Sequence, residues 1–178
     1  VEISDLILFL SKRLKICLLY TEKNYVGFMH CLIKTTWLDT NLETAWEFFS
    51  SPDNLAVITP KNLDFHILDR SLSKEMFAGQ IIEYTVRPFP FFKVHWVTEI
   101  SHVEHLKMFV DEQRFGPYAF WHHKHFFTQE AGRVKMVDIV HYKLPFGFLG
   151  RLIEPFIVRP RLEEIFAYRE KTIQKLFH

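Results

Sequence analysis

The stretch FVDEQRFGPYAFWHHKHFF, residues 109–127, decides the fold. Its first arm alternates with a period of two, which puts Phe109, Asp111, Gln113 and Phe115 on one face and Val110, Glu112 and Arg114 on the other. The second arm repeats the pattern with Trp121, His123, His125 and Phe127. Gly116 and Pro117 between them are a turn signal, so the arms read as a hairpin or a sharply bent pair of strands. One sheet face then interleaves aromatic rings with Asp111, Gln113, His123 and His125. That mixture is unusual for a plain core and natural for a pocket wall.

Working outward, a first strand over 30–37 leads into Asp39, Thr40 and Asn41, which are helix-capping residues. Leu42, Ala45, Trp46 and Phe49 then form an apolar stripe on a short helix that ends at Ser50, Ser51 and Pro52. The pattern predicts a second short helix over 53–58, stopped by Pro60. Strand-like runs follow at 63–69, 80–87, 91–101, 108–115, 120–129 and 133–144. The chain closes with helical spacing over 149–177, where Pro155 and Pro160 are expected to bend or delay the regular helix. This order predicts an α+β layer arrangement, in which an antiparallel sheet buries its concave face against the terminal helix. Space left between the two layers is where a ligand would sit.

The composition bounds the alternatives. A chain of 178 residues, 48% hydrophobic and 24% charged, fits one domain with a sizeable core. Nineteen of its residues are Phe, and so many large rings favour a large or partly hollow interior. A formal net charge of +1 gives no electrostatic reason to expect a nucleic-acid partner. Cys17 and Cys31 show neither CxxC spacing nor a paired His, so a reducing, cytoplasmic setting is the expectation. Lys12, Arg13 and Lys15 interrupt the one long apolar run, and no membrane span is expected.

Residues 1–28 read as an N-terminal extension apart from a domain over 29–178. Leu6, Leu10, Leu14, Cys17 and Leu18 recur at helical spacing, and Ser4 is a candidate cap. Three readings stand open: a docked helix, an amphipathic interfacial anchor, or sequence upstream of a start at Met29.

Several runs together resemble one known superfamily: WVTEI at 96–100, FVDEQ at 109–113, GPY at 116–118, WHHKHFF at 121–127 and DIVHYKLP at 138–145. They are similar to the SRPBCC superfamily of helix-grip proteins, which includes START lipid-transfer domains, the birch-pollen-allergen family and polyketide cyclases. Within it the chain looks most like a bacterial group of cyclase/dehydrase-like ligand-binding proteins, also found fused to sugar-nucleotide epimerase-like domains. The resemblance covers about residues 29–169. It implies a seven-stranded antiparallel sheet gripping a long C-terminal helix, two short helices after the first strand, and an apolar cavity. It implies no single chemistry.

The expected cavity wall comprises Trp96, Phe109, Phe115, Tyr118, Trp121 and Tyr142, with Phe156 and Phe166 from the long helix and Thr98 and Gln113 as sparse polar groups. Asp111 or Asp138 would orient His123 or His125, either in a buried hydrogen-bond network or as an acid/base pair for a cyclisation or dehydration. The HxH spacing of His123 and His125 also suits a metal site with a carboxylate from the next strand. No fourth ligand stands at tight spacing, so neither metal nor cofactor is assigned. His122, of opposite parity, reads as a surface or edge residue. The segment 89–92 reads as a hairpin tip at the cavity mouth or a cap on the core edge, and 146–150 as a gate or a plain connection. The leading expectation is binding or carriage of a hydrophobic small molecule. The alternatives are a cyclase or dehydratase using Asp111, His123 and His125, and a regulatory module for an epimerase-like partner.

Overall fold

The computed structural model describes residues 29–68, 75–89 and 92–177, so the expected extension over 1–28 lies outside the described residues. Strand β1 (His30–Leu38) is followed by helix α1 (Leu42–Phe49), and Asn41 caps that helix by accepting a hydrogen bond from the Thr44 N–H at 2.8 Å. The second expected helix is shorter than its pattern implied. It appears as 3₁₀ turns at Pro52–Leu55 and Lys61–Leu63, before the two-residue strand β2 (His66–Ile67).

Five long strands then run antiparallel: β3 (Gln80–Phe89), β4 (Phe92–Glu104), β5 (Met108–Phe115), β6 (Phe120–Glu130) and β7 (Arg133–Lys143). The sheet order is β1-β7-β6-β5-β4-β3-β2. Three register irregularities bend it. Between β4 and β5, Arg114 is the extra residue on one side and Ser101 on the other. A third falls between Val86 and Phe89, at the position of Pro88.

The terminal helix is continuous from Phe148 to Leu176: α2 (Phe148–Ile153), a π-helical turn (Glu154–Val158) and α3 (Arg159–Leu176). Pro155 lies inside the widened turn and Pro160 just beyond it, and the Arg159 N–H reaches back to the Glu154 carbonyl. The prolines thus widen the helix locally without ending it. Val158, Leu162 and Phe166 pack on Leu32, Val140 and Tyr142, while Ile173 packs with Val134 and Met136 near the other end. Gly150 lets the helix start against the end of β7, because a Cβ there would stand 2.3 Å from the Pro145 carbonyl oxygen. Among the described residues, no helix is long and apolar enough to cross a membrane.

Candidate functional site

Between sheet and terminal helix lies a cavity of about 360 Å³, toward the small end of the roughly 300–1,000 Å³ usual for small-molecule pockets. Nine of the residues expected from the sequence line it: Trp96, Thr98, Phe109, Asp111, Tyr118, Trp121, His123, His125 and Phe166. Their common face follows from strand pairing. Thr98 pairs with Gln113, Asp111 with His123, and Phe109 with His125, so the inward parity of three strands is in phase.

Five expected residues are placed elsewhere. Phe115 pairs with Val97 beyond the Arg114 bulge, which reverses its face and leaves it 62% exposed beside His95. Phe156 lies midway between the inward-facing Glu154 and Val158, half a turn round the helix, and is 79% exposed. Gln113 folds over Gly116 instead of lining the cavity. Its side-chain nitrogen donates to the Tyr118 carbonyl at 2.7 Å, and its oxygen accepts from the Tyr118 N–H at 3.2 Å. Tyr142 lies buried beneath the helix and donates to Glu154, whose carboxylate also meets Arg159 at 3.2 Å. Asp138, 1% exposed, sits behind the two imidazoles.

The expected polar residues converge into one cluster. The Asp111 Oδ2 atom lies 3.2 Å from His123 Nδ1 and 2.9 Å from His125 Nε2. On the far side, Asp138 Oδ1 lies 3.1 Å from His123 Nε2 and 2.7 Å from His125 Nδ1, although the last approach is at an angle that makes no hydrogen bond. Cross-strand pairs Asp111–His123 and His125–Asp138 thus close into a ring of four through their diagonals. Trp121 Nε1 donates to the other Asp111 oxygen at 3.2 Å, and the His125 ring stacks on Phe109 at 4.1 Å. His122 stands on the opposite face, paired with Glu112.

Burial alone would raise the Asp111 carboxyl, but the His123 charge and the hydrogen bonds of both imidazoles outweigh it and hold Asp111 below the ordinary carboxylate range. Asp138 is lowered for the same reason, with burial opposed by its contacts to the two imidazoles. Burial pulls His123 down, yet the two carboxylates prevail and its imidazole is raised. The ring meets the cavity through Asp111, His123 and His125.

Other lining residues escaped the sequence reading. Ile82, Tyr84 and Val86 enter from β3 at alternate positions, and that period of two is the signal that could have found them. Arg169 lies three residues beyond Phe166 on the same helix face, with its guanidinium over the Phe166 ring at 5.0 Å. Two cavity-lining side chains, Trp96 and Arg169, each keep a buried N–H with no hydrogen-bond partner among the described residues.

No protein-family model matches the chain, and no curated protein matches it by sequence. Solved structures do. The ginseng major latex-like protein 151 from Panax ginseng matches with a TM-score of 0.63 at 11% identity, over 85% of this chain and 99% of that one. Protein Ms6760 from Mycobacterium smegmatis matches with 0.60 at 15% identity, over 82% and 89%. Norcoclaurine synthase from Thalictrum flavum, solved as a point mutant with a transition-state analogue, matches with 0.58 at 13% identity, over 84% and 97%. Taken with the sheet order and the gripped helix, these likenesses show the helix-grip fold, the fold of the birch-pollen-allergen-like proteins.

Proposed function

We propose that this chain binds and carries a hydrophobic small molecule between the sheet and the terminal helix. The observation that carries the reading is the cavity itself, a chamber walled mostly by aromatic and aliphatic side chains, with Asp111, His123 and His125 clustered on its sheet wall. The unpaired N–H groups of Trp96 and Arg169 favour an occupant with a hydrogen-bond acceptor, such as a carbonyl or carboxylate, at one end. Phe89, Pro145 and Phe146 form part of the lining, and Phe146 is 81% exposed, which marks its edge as a mouth for an apolar molecule.

A fluorescence titration with 1-aminoanthracene tests this reading on the full chain. Saturable binding of one probe per chain is expected, and filling the cavity with Ile165→Trp should weaken it at least tenfold while costing no more than about 1–3 kcal/mol of stability. Non-saturable binding, or binding indifferent to that substitution in a folded variant, would count against it.

A second reading, acid/base catalysis on a carbonyl compound, is favoured by one observation: Asp111, His123 and His125 border the cavity directly. Norcoclaurine synthase shows that this fold supports an enzyme, which is an argument from fold alone. Turnover of a carbonyl substrate that disappears in His123→Gln, with probe binding retained, would establish it.

A further inference from the structure

The ring of Asp111, His123, His125 and Asp138 has a donor deficit. All four imidazole nitrogens lie within 3.2 Å of a carboxylate oxygen. A neutral imidazole supplies one N–H and one lone pair, so two neutral rings supply two N–H groups, while the His125 Nδ1 approach to Asp138 lacks hydrogen-bond geometry. With those two donated from His123 Nε2 to Asp138 and from His125 Nε2 to Asp111, the His123 Nδ1 lone pair faces an Asp111 oxygen lone pair at 3.2 Å. A proton there makes His123 an imidazolium, with its ring centroid 3.8 Å from that of His125 and the two planes tilted by 44°. A divalent cation fills the same gap and draws in His125 Nε2 as a third donor.

We propose that Asp111, His123 and His125 bind a divalent first-row transition-metal ion on the cavity wall. Asp111 Oδ2, His123 Nδ1 and His125 Nε2 are the ligand atoms, and one donor atom from each of these residues lies within 4.8 Å of the others. The two carboxylate–imidazole separations, 3.2 and 2.9 Å, fall within the roughly 2.8–3.6 Å between neighbouring donors around an ion with bonds of about 2.0–2.2 Å and octahedral to tetrahedral angles. Two imidazoles and a carboxylate suit zinc or ferrous iron better than the oxygen-seeking magnesium or calcium.

The surroundings match what a metal site needs. With the ion on the Asp111 side, His123 Nε2–H donates to Asp138 at 3.1 Å, which fixes that ring's tautomer from behind, and His125 Nδ1 lies 2.7 Å from the same carboxylate oxygen. Trp121 holds the other Asp111 oxygen, so Oδ2 is the one left for the ion. All three ligands line the cavity and Asp138 does not, so the remaining coordination positions open toward the chamber. An acceptor group on an occupant could take one of them. The inference does not depend on the occupant, because the metal and the apolar probe are titrated separately.

The test is a cobalt(II) titration of the full chain after chelator treatment, read by the ligand-field absorption of the ion. One equivalent per chain is expected, with the intensity of a four- or five-coordinate site, and zinc(II) should displace it. Weakening of about 10–100-fold is expected for Asp138→Asn, which touches no metal, and larger losses for His125→Gln. His122→Gln on the outer face should leave binding unchanged. Imidazole proton–nitrogen spectra of the unsubstituted protein need no variant to fold: zinc(II) should shift the His123 and His125 resonances together. Absence of a bound equivalent would overturn the proposal, as would binding that leaves those two resonances in place. If the probe still saturates in that case, the cavity reading stands without the metal.

Discussion

At one end of the sheet Trp46 sits edge-on to Phe109 and Phe127, at 6.1 and 5.6 Å, and Ile173, Val134 and Met136 close the space beneath. At the other end Phe146, Phe148 and Phe156 turn their rings outward around the start of the terminal helix. The same helix spans both ends, so the contrast comes from what meets it. Helix α1 brings a packed aromatic plug to the first end. The second receives only the 144–150 connection, in which Phe146 and Gly147 both take positive φ. One end thus carries stability and the other carries access, with the polar ring on the wall between them.

The largest expected effect lies at the plugged end. Trp46→Ala should cost about 3–5 kcal/mol in urea denaturation, because it empties a site bounded by Phe109, Phe127 and His105. A loss below 1 kcal/mol would erase the contrast between the ends. Next comes Glu154→Ala at the open end. It leaves the buried Tyr142 hydroxyl without its acceptor, for an expected cost of about 1–3 kcal/mol.

Alkaline pH probes the middle. Burial pushes the phenols of Tyr84, Tyr118 and Tyr142 well above the ordinary tyrosine value. Each holds its proton more tightly folded than unfolded, so its contribution is complete below about pH 10 and falls away as the pH rises further. Ultraviolet titration should show these three ionising only with loss of the sheet's circular dichroism. Smooth titration of all six tyrosines with the sheet intact would contradict their burial. The smallest effect belongs to Phe156→Ser, expected within about 0.5 kcal/mol of the parent by the same denaturation because its ring is exposed.

Particular residues show how far the sequence could be read. The capping run over 39–41, the order of elements along the chain and the shared face of Phe109, Asp111, His123 and His125 were legible, because caps and period-two alternation are local signals, whereas the direction of that face is set by strand pairing. Phe115 was misplaced because the bulge at Arg114 is a property of strand pairing, which no single strand announces. Phe156 was misplaced because the helix face depends on how Glu154 and Val158 seat across a widened turn. Arg169 is one of several cations mixed with acids along the last helix, so nothing local marks it out. Its inward position is set by α3 crossing the sheet at Phe166. The ring of four was half legible: Asp111, His123, His125 and Asp138 were all singled out, but their mutual distances needed three strands in register.

Native mass spectrometry of the full chain purified from its own cells tests the central claim, a hollow middle made to be filled. The account predicts a non-covalent mass increment that organic extraction removes, and its reduction or loss in Ile165→Trp. A bare polypeptide mass, together with non-saturable 1-aminoanthracene binding, would contradict it.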